Sequence, residues 1–511
     1  MRVLVIDVLG KSPARDPYAR MMRANNTSLM AQSIAVWCEA LGHETHIAYY
    51  SGDELMAGHA PDRPAVVFIS AFSQCAYLAY ALSARYRAAG AITVLGGPHA
   101  RSYPLDALKY FDYVIGQCDH RLIEALLSGC CSHPEGGQWL ASATQPVTLP
   151  GLRARWKFLA PAMARSPLLK IVPIIGSLGC PYTCSFCIDA AVPYQPLDFD
   201  SLRDDLRFFQ SLRLRGAVVV WHDPNFGIRF DDYMRVIEDT VPPGTVTFLI
   251  ETSLSILNTE RLERLRRNGC RFVAPGIESW TEMGNKAKTA RVTGLDKVRM
   301  VAEQCREVNA YIPYMQANLV FGFDSDEGDA PFELTRRFVD LAPGVYPHFA
   351  VLTAFGRNAP GNAGYLRDGR LLPVPFEFLD LIEAMNVRPK HYAWDDFYTH
   401  LCRVYEHAFA PSAIARRAWH NRRSPIALEQ VFRAVASDHW NRLRYHRRMQ
   451  RWLRTDRQVR AFFEGETTRI PDVMAAQVTR HLGSLVSWLP DGALIHDPDQ
   501  FGASVAERGT A

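Results

Sequence analysis

The sequence predicts an α/β protein in three parts: an N-terminal Rossmann-like domain, a partial (β/α)6 TIM-like barrel and a helical C-terminal domain. Three observations lead there. Apolar strand signals alternate with amphipathic helical patterns over residues 1–140, and the alternation resumes from about 170 after a Gly-, Ser- and Pro-bearing stretch. Beyond about 370 the strand signals stop. The expected boundaries are therefore 1–140, a linker at 141–167, the barrel at 168–370 and a capping domain at 371–511.

In the first domain, strands are expected at 2–8, 66–70, 91–95 and within 110–116, with helices at 28–41 and 75–89. Such βαβ repetition builds a parallel sheet that binds ligands at its carboxyl edge. Gly96 and Gly97, directly after a strand, suit close approach of a backbone to a ligand, and equally a tight turn. In the second part, strands are expected at 171–175, 217–221, 245–250, 271–275, 317–322 and 348–353, with helices such as 259–269 and 293–310 between them. Six such units are too few to close an eight-stranded barrel, so another element has to cover the open side. In the tail, residues 416–460 hold thirteen Arg against three acidic side chains. They form either a positive wall at the barrel mouth or a solvated cap with Arg on its outer face.

Composition excludes several classes. A net charge of +4 over 511 residues points away from nucleic acid, and no zinc-finger or RNA-recognition signature accompanies the Arg-rich tail. No apolar run reaches the ~18 residues of a membrane span, so no membrane partner is expected. MRVLVIDVLG reads as a buried first strand rather than a leader, having only Arg2 before the apolar run and Asp7 within it. Eleven cysteines are too dilute for a disulfide framework, and a reducing cytoplasm fits them. Cys38, Cys75, Cys118, Cys270, Cys305 and Cys402 read as buried small hydrophobes, and the vicinal Cys130 and Cys131 as a loop pair open to metal or arsenic.

Cys180, Cys184 and Cys187 are different. They crowd into GSLGCPYTCSFCIDA, in a loop directly after an apolar strand, with no second Cys or His knuckle to complete a zinc site. Three thiolates on a four-iron cluster leave one iron open to an exchangeable ligand. This C-x3-C-x2-C after the first barrel strand, with Phe186 before the last cysteine, resembles the radical SAM superfamily. The resemblance implies a [4Fe-4S] cluster on Cys180, Cys184 and Cys187, with S-adenosyl-L-methionine (SAM) on its open iron and Phe186 beside the adenine. Later segments extend the likeness. VVVWHDPNFG places Asp223 and Asn225 at the second strand end, FLIETS places Glu251 at the third, and FVAPGIES places Glu278 and Ser279 at the fourth, toward SAM. LVFGFDSDEGD resembles the fifth-strand segment, while TAFGRNAPGNAGYLRDGR lacks the family's usual Pro and Thr at the substrate-facing turn. Each of these polar residues taken singly also suits a helix cap.

The order of domains, the GGPHA segment and DYVIGQCD are similar to the class of radical SAM enzymes with a cobalamin (B12)-binding-type domain. Gly116, Gln117 and Asp119 stand where that class carries Gly-Glu-x-Glu, and the D-x-H-x-x-G motif that ligates cobalt is absent. Under this resemblance Ser70, Ser73, Gly96 and Gly97 line the nucleotide-tail pocket and His99 reaches toward the corrin edge. Strand-end packing is the competing role for His99.

The leading function is C-methylation in natural-product or small-molecule biosynthesis, with cobalamin relaying the methyl group and an external reductant such as flavodoxin or ferredoxin supplying electrons. A small molecule or peptide is the expected substrate. Transfer of the 3-amino-3-carboxypropyl group of SAM, for example to arsenic, a radical cyclisation or rearrangement, and a non-catalytic cluster protein remain alternatives. His391, Trp394, Asp395 and Asp396, and separately Tyr311, Tyr314 and Gln316, are candidates to touch substrate.

Overall fold

A computed structural model describes residues 1–12, 18, 21, 27–50, 63–129, 133–164, 166, 168–289 and 292–498. The vicinal pair Cys130 and Cys131 lies outside them. The N-terminal sheet is six-stranded and parallel throughout. Its strands are β1 (Arg2–Val8), β2 (Glu44–Tyr50), β3 (Val66–Ala71), β4 (Ile92–Gly96), β5 (Tyr113–Ile115) and β6 (Gln138–Leu140), in the order β2-β1-β3-β4-β5-β6. In β1 every residue after Arg2 is buried, as expected of a central parallel strand covered on both faces. β2 and β6 went unforeseen because ETHIAYY opens on polar residues and QWL is too short to carry a pattern.

The second sheet holds β7 (Lys170–Ile174), β10 (Ala217–Trp221), β11 (Phe248–Ser253), β12 (Cys270–Glu278), β13 (Tyr314–Phe321) and β14 (Tyr346–Val351). All its pairs are parallel and run β14-β13-β12-β11-β10-β7 in strict sequence order, so β7 and β14 stay unpaired with each other. This is the open partial barrel expected. A two-residue antiparallel ladder, β8 (Ser177–Leu178) with β9 (Gln195–Pro196), follows β7. Helices then fill residues 394–482, as the tail's composition implied.

The stretch expected as a linker contains a packed helix, Leu152–Ala164. Its Arg155 is buried and donates to Gln32 Oε1 (3.0 Å) on the N-terminal domain and to the Pro173 carbonyl (3.3 Å) on β7. A buried guanidinium shared in this way fixes the two sheets to one another, because breaking it would strand a desolvated charge. The helix escaped notice because Pro161 sits inside it and Gly, Ser and Thr precede it.

Two further ties join the parts. Lys11, in the loop after β1, bonds Asp380 and Glu383 of the C-terminal domain at 2.8 Å each. The turn at 356–358 docks on helix Pro98–Ser102: Arg357 N donates to the Ser102 carbonyl (3.1 Å) and Arg357 Nε to that of Arg101 (3.3 Å). Gly356 has φ +52°, and a Cβ there would collide with the Ser102 carbonyl, so this docking needs glycine.

The thirteen Arg of 416–460 split. Arg417, Arg433 and Arg442 are buried; Arg416, Arg422, Arg423 and Arg444 are among those facing out.

Candidate functional site

Cys180, Cys184 and Cys187 occupy the loop 179–194, drawn together at its base by β8 and β9. Gly179 turns into it at φ +68°, close against the Val192 and Pro193 carbonyls, where any side chain would clash. Cys187 N donates to the Cys184 carbonyl (3.1 Å) and Ala190 N to that of Cys187 (3.3 Å), so the chain curls between the thiols. All three are half-buried and free of disulfides. Burial raises the Cys180 thiol pKa and pushes that of Cys187 up to about 11. Ligation by a cationic centre is what draws such thiols to thiolates at neutral pH. Among the described residues, no three His, Cys, Asp or Glu side chains are placed to hold a single metal ion. A four-iron cluster makes a different demand, one thiolate per iron.

Loops from other strand ends converge on this one. Phe186 lies edge-on to Phe323 with centroids 5.7 Å apart. Lys286 Nζ stands 5.3 Å from the Phe186 centroid and 2.7 Å from Glu278 Oε1. Burial works against the Lys286 ammonium, but Glu278 and the thiols of Cys184 and Cys187 outweigh it and raise its pKa. Glu278 sits at φ +62°, where the β12–β13 register shifts, a strained conformation of the kind that gathers at functional sites. Sequence reasoning missed Lys286, which no periodicity marks.

The other strand-end residues divide by role. Asp223 is buried and accepts from Gly176 N (2.7 Å), Ser177 Oγ (2.5 Å) and Tyr233 OH (2.5 Å), bracing the base of the cysteine loop. Asn225 accepts from Gly227 N (3.0 Å) and Thr252 Oγ1 (3.1 Å) and donates to Ser253 Oγ (3.1 Å), capping a short 3-10 turn. Ser279 Oγ accepts from Thr281 N (3.2 Å) and Glu282 N (3.1 Å), closing a turn of its own. Glu251 faces a cavity. Water can reach it there, yet protein surrounds it, and burial, then Asp189 and Glu278, raise its carboxyl pKa.

That cavity, of about 1910 Å³, lies between the two carboxyl edges and runs on along the barrel interior. Ser70, Gly96, Gly97, Gly116 and Gln117 line it from the first domain; Gly179, Asp189, His222 and Glu251 line it from the barrel. Its size exceeds the several hundred Å³ usual for a small-ligand pocket. A Cβ at Gly96 would meet nothing within 4 Å, so glycine leaves room there. Gly97 sits at φ +89°, where a Cβ would press on the Ala71 backbone and Ser70 Oγ. Arg101 and Asp189 face the cavity from opposite domains, and each opposes the pKa shift that burial imposes on the other.

His99 and Ser73 do not line it. His99 is fully buried beneath the edge, with Nε2 2.6 Å from Tyr80 OH and Nδ1 3.3 Å from Ser73 Oγ, and its ring packs edge-on against Phe376. Burial lowers its pKa to about 3, so it stays neutral. The reach toward a ligand expected of His99 gives way to packing, because helix Pro98–Ser102 turns the side chain into the core. Among the other candidates, Tyr314 and Gln316 line the cavity and bond Arg433 at 2.8 and 2.7 Å. Trp394 is buried and donates to the Phe463 carbonyl, and Asp395 pairs with Arg454 outside the cavity.

Residues 174–328, from the end of β7 to the loop after β13, match the radical SAM superfamily. The barrel is a radical SAM domain. Such a domain implies a [4Fe-4S] cluster and SAM, and makes the chain a radical SAM enzyme. The chain is 24% identical over 354 residues to bacteriochlorophyllide d C-12(1)-methyltransferase of Chlorobaculum tepidum, covering 68% of this chain and 71% of the relative. It is 26% identical over 303 residues to bacteriochlorophyllide d C-8(2)-methyltransferase of the same organism, covering 56% of this chain and 64% of that one. Among solved structures, the cobalamin-dependent SAM radical enzyme OxsB with aqua-cobalamin superposes with TM-score 0.55 at 10% identity, over 96% of this chain and 80% of that one. The radical SAM methyltransferase TsrM of Kitasatospora setae, with cobalamin and a [4Fe-4S] cluster, gives 0.50 at 15% identity, over 73% and 79%. The shared fold extends over the N-terminal domain as well as the barrel. No described helix is long and apolar enough to cross a membrane.

Proposed function

We propose that this radical SAM enzyme is a cobalamin-dependent C-methyltransferase acting on a small molecule, in a reducing cytoplasm, with electrons from a flavodoxin or ferredoxin. The observation carrying it is the cavity between the domains, bounded on one side by the glycine-lined edge of the first sheet and on the other by the cysteine loop. The methyltransferase relatives point the same way.

Cys180, Cys184 and Cys187 would hold the cluster; Phe186, Glu251, Glu278 and Lys286 would surround SAM. Gly96, Gly97, Ser70 and Gln117 would hold cobalamin in the cleft. The cluster and cobalamin, when bound, supply the electron that cleaves SAM and a carrier for the methyl group. The protein's own part is positional. Asp223 braces the base of the cysteine loop through Gly176 N and Ser177 Oγ and is itself held by Tyr233 OH, so the loop's entry is set before anything binds. Lys286 pairs with Glu278 and offers a cation beside a carboxylate-bearing ligand. Arg155 and residues 356–358 hold the two carboxyl edges at a fixed separation.

The test is anaerobic reconstitution with iron, sulfide and hydroxocobalamin, followed by a cobalt count and a search for methylated products. Near one cobalt per chain, with methyl transfer from labelled SAM, is expected. Cleavage of SAM with no retained corrin overturns the reading and turns attention to the 3-amino-3-carboxypropyl group.

A further inference from the structure

The helices Pro411–His420 and Ile426–Arg433, with the π-helical segment Ala434–Arg442 that continues the second, present an unusual surface. Their inward face is well packed: Ala427, Gln430, Arg433, Ala434, Ser437, Asp438 and Arg442 are buried. Their outward face is apolar where solvent should favour polar groups. Trp419 is 70% exposed, Leu428 78% and Trp440 62%, with Val435 also exposed. Leu428 and Val435 are seven residues apart and share a helix face. The wider i→i+5 winding after Ala434 keeps Trp440 and Arg444 on the exposed side, opposite buried Asp438 and Arg442.

The charge these helices themselves carry outward has one sign. Residues 411–455 contain two acidic groups, and both turn away from the surface: Asp438 is buried, pairing with Arg442 (3.1 Å), and half-buried Glu429 accepts from Tyr18 OH (2.6 Å). Arg416 spends its charge on Asp340, at 3.1 Å. Among the described residues, however, no carboxylate pairs with Arg422, Arg423 or Arg444; Arg422 lies over the Trp419 ring, its guanidinium carbon 4.4 Å from the centroid. Exposed Trp and Leu ringed by uncompensated Arg is the chemistry of a helix lying in a lipid interface, where the indole sits at headgroup level and the cation meets lipid phosphate.

We infer that this face seats the enzyme on an anionic lipid surface. The position of the face favours lipid over an acidic redox protein. Arg417 donates to the Val345 carbonyl and Asn421 to that of Gly344, just before β14, and Arg433 bonds Tyr314 at the start of β13. The face therefore lies at the amino end of the barrel strands, whereas the cysteine loop leaves the carboxyl end of β7. A protein passing electrons to the cysteine loop would dock at the other end. The face also adjoins the cavity, which Ser424, Pro425 and Ile426 line, so a lipid-soluble substrate would enter from the side that meets the bilayer. The sequence, having no span, had predicted no membrane partner; attachment of this kind needs none.

The experiment is co-sedimentation of the full chain, reconstituted with its cluster, with phosphatidylcholine vesicles with and without phosphatidylglycerol. Binding is expected only with phosphatidylglycerol and should weaken as salt rises. The W419S/W440S double variant and the R422Q/R423Q/R444Q triple variant should each lose about tenfold or more in partition, with unchanged iron content and thermal unfolding. These side chains are mostly exposed and none belongs to the buried core, so folding is not at stake. Failure of the wild type to sediment with anionic vesicles overturns the inference, as does equal sedimentation of the variants. Sedimentation velocity covers the other occupant: a dimer that W419S/W440S converts to monomer would assign the face to a second copy of the chain and overturn it too. None of these results depends on which reaction the enzyme performs.

Discussion

Two six-stranded parallel sheets turn their carboxyl edges toward one cavity, and they equip those edges in opposite ways. The N-terminal edge is made of space: Gly96, Gly97 and Gly116 end or follow its strands, and its titratable His99 is folded away under Tyr80 and Phe376. The barrel edge is made of charge: Asp189, Glu251, Glu278 and Lys286 crowd around the thiol loop, with Asp223 bracing it. On the function proposed above, the difference matches what each edge would hold. A large ligand that brings its own reactive centre needs room and backbone contacts, whereas a cluster and a small zwitterion need ligands and counter-charges in place.

The contrast breaks most sharply at the thiols. Cys184→Ala should abolish SAM cleavage and strip iron from the protein, read by iron content and cluster absorbance, while leaving cobalamin retention nearly intact. Gly96→Leu should do the reverse. It fills open cavity space, so cobalamin affinity should fall at least about tenfold, worth ~1.4 kcal/mol, with the cluster spectrum unchanged. A variant that lost both cofactors together would show that the two edges are not independent.

A third prediction concerns Asp7 near the end of β1, whose carboxyl accepts from Ser28 N (2.6 Å) and Ser28 Oγ (2.7 Å) and is fully buried. Burial raises its pKa from 3.8 to about 6 despite those bonds. The folded state then holds this proton more tightly than the unfolded state. Asp7 therefore stabilises the fold at low pH, and that contribution is lost as pH rises from about 4 through 6. Asp7→Asn, which cannot ionise, should gain stability relative to wild type across that window, by up to about 3 kcal/mol, measured by denaturant unfolding at each pH. An unchanging difference would show that the carboxyl titrates normally. A fourth prediction concerns His99, where no effect on cofactor retention is expected. His99→Phe should cost about 1–2 kcal/mol, because Ser73 Oγ loses its ring partner and Tyr80 OH keeps only its bond to Asp106, with no change in cobalamin retention; a loss of retention would return His99 to the site.

Legibility followed the range of the interactions. The cysteine loop was readable because its chemistry is local: three thiols within eight residues, a glycine to turn the chain and an apolar strand to position it. Both sheets were readable as alternating apolar runs, except β2 and β6, whose polar or brief sequences take their structure from neighbours. Polar residues at strand ends could be found but not assigned. Asn225 and Ser279 mostly serve their own turns, while Glu251 faces the cavity, and nothing local separates these cases. Lys286 was invisible because its partner Glu278 is reached through a loop whose shape no pattern encodes.

By itself, then, the sequence determined the order of domains, the parallel sheets, the partial barrel and the thiol loop, since backbone propensity and short-range spacing set all of these. Only the tertiary structure decided which side chains look into the cavity. It folded His99 inward, turned the 356–358 segment into a clasp on helix Pro98–Ser102, sorted the tail's arginines into buried and exposed sets, and brought Lys286 to the thiols. Those outcomes depend on which surfaces meet across hundreds of residues. Burial and the satisfaction of desolvated polar groups settle them, and both are properties of the packed whole.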